Sequence, residues 1–267
     1  MSLYAGERPE YLTECLESLA QQTLLPGEVI VVLDGPIDNE LTDILSKYNN
    51  QLFINIVPIR RNVGLGLALN EGLKKTRFDF IARMDTDDIC LPERFEKQIS
   101  YLTKHPDVSV LGSNIAEFRK DPQNICSRRQ VPIDHDSIVK YAKFRCPMNH
   151  MTVVFRKSSV LSTGGYRDLR VSQDYDLWVR MLLRGYKFSN IDEELVLARI
   201  GNLEKKRGGR KYLHIERQIF KSFYHSGFIT ATQFRINIAL RFLARTAPSE
   251  IRKHLYHFIL RRRITKN

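Results

Sequence analysis

Phe78-Asp79-Phe80-Ile81-Ala82-Arg83-Met84-Asp85-Thr86-Asp87-Asp88 decides how this chain of 267 residues is read, because an apolar run ends there in three acids. The run over residues 78–82 predicts a buried strand, which puts the carboxylates at its carboxyl end. In open α/β sheets that edge is where ligands bind. Three carboxylates so close together repel one another unless a cation sits among them. Hard oxygen donors of this kind suit Mg²⁺ or Mn²⁺ bound together with a substrate phosphate. The competing reading is a solvated Asp-rich turn, or a cap for the helix that opens at Pro92.

Outward from that stretch, helix and strand patterns alternate. Residues 9–22 carry Leu12, Leu16 and Leu19 at helical spacing, and 28–33 form a β-branched run ending at the turn Asp34-Gly35-Pro36. A helix over 39–48, a strand over 53–59 and a helix over 66–75 precede the acidic strand. Beyond it come a helix with Phe95, Ile99 and Leu102, a strand over 108–111 and an antiparallel ribbon over 115–129. A helix over 134–144, a strand over 152–155 and a helix over 172–183 follow. This order predicts an α/β fold with a mostly parallel sheet flanked by helices. Three more helices are expected over 212–226, 230–245 and 248–263.

Hydrophobic content of 43% is that of a soluble globular protein. The four cysteines lie far apart, form no CxxC pair and fit a reducing compartment. Neither a signal peptide nor an apolar run of membrane-spanning length is visible. The net charge of +12 is concentrated at one end: residues 199–267 hold 17 Lys and Arg against three acids. A neutral body with a basic tail points to an anionic partner, phospholipid or nucleic acid.

Five segments line up in order and resemble the family 2 glycosyltransferases of the GT-A fold. They are Met1-Ser-Leu-Tyr4 with Glu7-Arg-Pro-Glu-Tyr-Leu, then Val31-Val-Leu-Asp34-Gly, then Arg61-Asn62-Val-Gly64-Leu-Gly66-Leu-Ala-Leu-Asn70, then Met84-Asp85-Thr-Asp87-Asp88, and Ser172-Gln173-Asp174-Tyr175-Asp176-Leu-Trp178. Within the family the chain looks most like bacterial enzymes of surface-polysaccharide (O-antigen or exopolysaccharide) biosynthesis. The resemblance covers residues 1–199 as a catalytic domain and leaves 200–267 as a basic helical region that associates with membrane. The family starts with a strand just before the segment matching Ser2-Leu-Tyr4. Here that strand is expected to be absent or reduced to a stub, each unsatisfied backbone group costing about 1–3 kcal/mol.

The resemblance implies Asp85 near the ribose, Asp87 on a Mn²⁺ or Mg²⁺ ion that bridges the diphosphate, and Tyr4, Glu7, Asp34 and Asn62 around the nucleotide. Asp88 competes with Asp87 for the metal. Asp34 suits a uracil N–H, or alternatively an Asx-turn; Tyr4 suits stacking on the base, or alternatively the core. Gly64-Leu-Gly66 follows a strand as in the dinucleotide fingerprint, but Leu69 replaces the third glycine, leaving a tight turn and close packing. Asp174 is the expected general base, with a helix-start role as its competitor. The family shows Glu-Asp where this chain has Gln173-Asp174. His150 is read as a sugar or metal contact or a structural residue, and Trp178 as lining the acceptor site or packing on the sheet.

The function expected is an inverting, metal-dependent transfer of a hexose, galactose or glucose, from a UDP-sugar to a lipid-linked (polyprenyl-diphosphate) saccharide. The enzyme would sit on the cytoplasmic face of the membrane, its tail on anionic lipid and not on nucleic acid. One rival is a sugar nucleotidyltransferase, which would want a glycine-rich basic loop where Tyr4-Ala-Gly6-Glu7-Arg8 stands. The other is a basic nucleic-acid-binding protein, for which no recognition module is visible.

Overall fold

The computed structural model describes residues 1–201 and 210–246. β1 (Ser2–Leu3), β2 (Val29–Asp34) and β3 (Ile54–Ile59) form a parallel sheet in that order. Parallel neighbours require crossovers, and α1 (Pro9–Ala20) and α2 (Asn39–Leu52) supply them. Leu12, Leu16, Leu41 and Leu45 bury against Val29 and Val31 on one face of the sheet. On the other, Ala68 of α3 (Leu65–Lys75) meets Ile30, Val32 and Val57.

The second sheet is mixed. It comprises β4 (Phe80–Ala82), β5 (Ile89–Cys90), β6 (Val108–Phe118), β7 (Ile125–Arg129), β8 (Val154–Arg156) and β9 (Lys187–Arg199), ordered β4-β8-β6-β9-β5 with β7 on β6. Only β6 and β9 run parallel; the expected ribbon over 115–129 is the antiparallel β6–β7 pair. Its helices are α4 (Arg94–Lys104), α5 (His135–Ala142), α6 (Lys157–Ser162) and α7 (Gln173–Leu183). The sequence reading missed β9, whose middle, Asp192-Glu193-Glu194, breaks the apolar pattern.

One expectation needs correction. The acidic strand is shorter than 78–82, and it is not buried: Phe80 and Ile81 are half-buried, and Phe78 and Ala82 are exposed. The reason lies beside it. β4 pairs only with β8, and between it and β2 the two sheets are separated by a cavity of about 450 Å³. The expected stub is β1, two residues long and registered on Val32 and Leu33.

The C-terminal helices α8 (Arg210–His225) and α9 (Ala231–Thr246) continue the body's core. Ile219, Phe220, Phe223, Phe228 and Ile229 join the cluster containing Tyr175, Trp178 and Leu182. Tyr175 meets both Phe220 and Phe223 edge-on. The helix expected over 248–263 lies outside the described residues. No described helix is long and apolar enough to cross a membrane.

Two tests follow from this packing. Phe223→Ala should destabilise the whole chain by about 3–5 kcal/mol in a single transition, read by urea denaturation; separate melting of the tail would contradict the shared core. The Met1 ammonium donates to the Ile30 carbonyl at 2.8 Å, and its burial, helped by Arg83, lowers its pKa to about 6. The unfolded chain therefore binds more protons between about pH 6 and 8, and stability should rise across that window. Acetylating the amino terminus should remove the slope.

Candidate active site

The turn after β4 brings three carboxylates together: one oxygen each from Asp85, Asp87 and Asp88 lies within 4.8 Å of the others. Three buried arginines hold the turn in place. Arg83 grips Asp85 through both terminal nitrogens. Arg94 donates to the Arg83 carbonyl at 2.7 Å. Arg199, at the end of β9, offers its amide to Asp88 Oδ1 at 2.7 Å and its Nε to the Asp87 carbonyl at 3.0 Å. Arg199 also stacks over Tyr11, 3.8 Å from the ring centroid, and pairs with Glu14.

That bracing leaves charge uncompensated. Burial, then Asp85 and Glu7, push the Asp87 carboxyl up to about 7. Asp88 is 2% exposed and also raised, by burial first and then Asp85 and Asp87. Its Oδ2 is buried without a partner among the described residues. An orphaned carboxylate oxygen beside two more acids is a donor set that fits a hard divalent cation. The Asp87 side chain and the unmatched Oδ2 of Asp88 are left for it, whereas Asp85 is held by Arg83.

The loop after β1 closes over this turn. Glu7 accepts from the Thr86 hydroxyl and, at 2.9 Å, from the Arg8 amide. Tyr4 is not a core residue: it is 49% exposed, and its ring folds back over Gly6, where a Cβ would come within 2.4 Å of it. Burial, Glu7 and Asp87 raise its hydroxyl pKa, which places it beside the acids.

Asp34, buried at the carboxyl end of β2, takes the Val63 amide on Oδ1 at 2.6 Å and the Gly64 amide on Oδ2 at 3.0 Å. This lock replaces the Asx-turn alternative and leaves each oxygen a further lone pair. Asn62 is exposed and donates to the Asp34 carbonyl at 3.2 Å. Gly64 has φ +93°, and a Cβ on Gly66 would sit 3.1 Å from the Arg167 carbonyl. Both glycines therefore serve a turn and close packing.

α7 carries two acids with different surroundings. Asp176 is buried and bonded to Arg180 at 2.8 Å and Arg167 at 3.3 Å, so its role is structural. Asp174 is half-buried, and its contact is the Cys146 thiol at 3.5 Å. The Tyr166 hydroxyl, raised chiefly by burial, feels Asp174 and Asp85 as well as Arg83. The α7 carboxylate and the acidic turn are thus both near one ring. Tyr166 also bonds His150 Nε2 at 2.9 Å, and burial beside Arg83 keeps that imidazole neutral. His150 supports Tyr166 from within. Trp178 is fully buried against His150, Phe155 and Phe188 and does not line the site.

Sequence reasoning missed Arg83, Arg94, Arg199, Tyr166 and Cys146. Arg83 was the most legible, since a cation at the end of an apolar run needs a partner, and Asp85 stands two residues on.

The glycosyl transferase family 2 model matches residues 4–162. The chain belongs to that family. The amylovoran biosynthesis glycosyltransferase AmsE of Erwinia amylovora is 40% identical over 96% of both chains. The UDP-Gal:alpha-D-GlcNAc-diphosphoundecaprenol beta-1,3-galactosyltransferase of Escherichia coli is 36% identical over 98% of this chain and 95% of its own. The crystal structure of Staphylococcus aureus TarS 1-349 in complex with UDP-GlcNAc superposes with a TM-score of 0.65 at 21% identity, over 91% of this chain and 70% of that one. The family 2 enzyme described here thus has the GT-A fold.

The Asp34 lock is testable without substrate. Asp34→Ala leaves the Val63 and Gly64 amides unmatched and should cost about 1–3 kcal/mol, whereas Asp34→Asn, which keeps one acceptor, should cost less. Chemical denaturation of the two variants checks the order.

Proposed function

We propose that this glycosyltransferase moves a hexose, galactose or glucose, from a UDP-sugar to a polyprenyl-diphosphate-linked saccharide, with inversion, in surface-polysaccharide biosynthesis. The observation that carries the reading is one lightly bonded carboxylate, Asp174, near the same Tyr166 hydroxyl that also feels Asp85 of the braced 85–88 turn. Inverting transfer needs those two groups on opposite sides of an anomeric carbon. The names of the Erwinia and E. coli relatives support the pathway, and the latter's supports donor and acceptor class.

Asp174 takes the proton of the acceptor hydroxyl as that oxygen bonds to the anomeric carbon and the bond to the diphosphate breaks. Asp87, with Asp85 and Asp88 beside it, would hold Mn²⁺ or Mg²⁺; Arg83 grips Asp85 and orients it toward the ribose. A bound dication supplies positive charge that stabilises the leaving nucleoside diphosphate. Tyr4 stacks on the base, with Asn62 and the spare lone pairs of Asp34 at its polar edge and Glu7 fixing the loop.

The same reading places residues 1–199 as the catalytic unit and the basic remainder on the inner face of the cell membrane. Arg235, Ile236, Leu240 and Leu243 are exposed along α9, a cationic and apolar face at helical spacing. That mixture favours anionic lipid over nucleic acid. Because α8 shares the body's core, removal of the whole tail would unfold the chain, so substitution of this face is the sharper probe.

Asp87→Ala and Asp174→Asn should each lower transfer at least 100-fold, about the lower end of what general acid–base groups contribute, while circular dichroism stays unchanged; near-normal turnover of either removes its role. Ile236→Asp with Leu240→Asp should release the chain from anionic vesicles at unchanged fold, and equal sedimentation refutes the lipid face. A thermal-shift screen of nucleoside diphosphates with and without Mn²⁺ should single out UDP with metal.

A further inference from the structure

Residues 142–146, which follow α5 and reach the site, are tied to three other elements. The end of a helix leaves carbonyls without intrahelical donors, and here side chains supply them. The Tyr175 hydroxyl of α7 donates to the Ala142 carbonyl at 2.6 Å, and Arg129 of β7 to the Cys146 carbonyl at 3.0 Å. The carbonyls of Lys143 and Phe144 are taken by α9. Asn237 Nδ2 donates to the first at 3.0 Å, and Arg241 to the second at 2.8 Å.

α9 is itself fixed at these two residues. Asn237 is 0% exposed, and its Oδ1 accepts from Arg241 at 2.8 Å. The Arg241 guanidinium lies 3.8 Å from the centroid of the Phe220 ring and 3.6 Å from Glu216. A fully buried amide is costly unless its bonds are kept. The same turns expose Ile236 and Leu240, so α9 turns one face to residues 143–144 and another outward. At the far end of the segment the Cys146 thiol donates to Asp174 Oδ2 at 3.5 Å. Tyr175 is the next residue of α7, so two contacts set the first turn of that helix against the segment that α9 holds.

We infer that Asn237 and Arg241 are positioning residues for Asp174, acting through residues 142–146. This rests on the reading of Asp174 as the base. Arg180 and Arg167 hold Asp176, whereas Asp174 has no ion pair among the described residues. Its aim therefore depends on the α7 backbone and on what that backbone leans against. A misplacement of about 1 Å can lose about 100-fold in rate. A tie that only anchored the tail would add stability and leave the turnover of folded molecules alone.

The experiment compares Asn237→Ala, Arg241→Met and Arg241→Lys in the full chain by two readouts. One is turnover of UDP-galactose or UDP-glucose with a polyprenyl-diphosphate-linked saccharide; the other is peptide-resolved alkylation of Cys146 by iodoacetamide. Asn237→Ala and Arg241→Met should lower kcat per folded molecule about 10-fold or more, with KM for the UDP-sugar within about twofold. Cys146 should be alkylated at least about 5-fold faster in both. Arg241→Lys, which keeps a donor, should recover most of each effect. Leu45→Ala, a core change under the first sheet, should lower Tm and move neither readout. Unchanged kcat, unchanged alkylation, a rise in KM alone, or equal effects from Leu45→Ala overturns the proposal. Should Asn237→Ala not fold, the two Arg241 variants read the same quantities. Normal turnover of Asp174→Asn refutes the base and this inference with it. An inactive Asp174→Asn beside fully active Asn237→Ala and Arg241→Met removes the positioning role alone.

Discussion

Three aspartates within four residues cannot stay ionised and close without help, and the fold spends three buried arginines on that problem. Arg83 comes from the acidic strand itself, Arg94 from the following helix and Arg199 from the end of the longest strand. Each is costly to bury alone, and each is matched by a carboxylate, a carbonyl or an aromatic face. The compensation is incomplete where it matters. Asp88 keeps an unmatched oxygen, and Asp87 stays hard to ionise. The turn is thus prepared for a cation that the polypeptide does not supply.

The same dependence explains why distant segments belong to one site. Thr86 holds Glu7, Glu7 fixes the loop of Tyr4, and Arg199 ties β9 to α1 through Glu14 and Tyr11. Asp34 pins the 62–64 loop, and Gly64 there with Gly66 in α3 admits the 167–173 segment that leads into α7. The segment that precedes Asp174 is thus packed on a loop tied to β2.

Much of this was legible in residue order. The β–α alternation of residues 9–75 and the acids at a strand end follow from local pattern, and the structure bears them out. What local pattern could not show was pairing. β9 hides behind Asp192-Glu193-Glu194 because its register on β6 is bought by long-range contacts. Asp174 and Asp176 look alike in sequence, and only the positions of Arg167 and Arg180 separate the free acid from the structural one. Trp178 and His150 were ambiguous for the same reason, since burial is a property of neighbours. The apolar residues of α8 fit a membrane face or a core equally well until Tyr175 is seen against them.

Cys146 has a consequence for chemistry outside the transfer. Its thiol rests against Asp174, and burial together with that carboxylate holds its proton firmly. Peroxide and alkylating agents attack thiolates, so the sulfur nearest the proposed base is the slow one to react. Cys126 is exposed and would be modified first. Under oxidative stress the molecule would accumulate damage on its outer ribbon while the carboxylate beside Cys146 kept its surroundings intact.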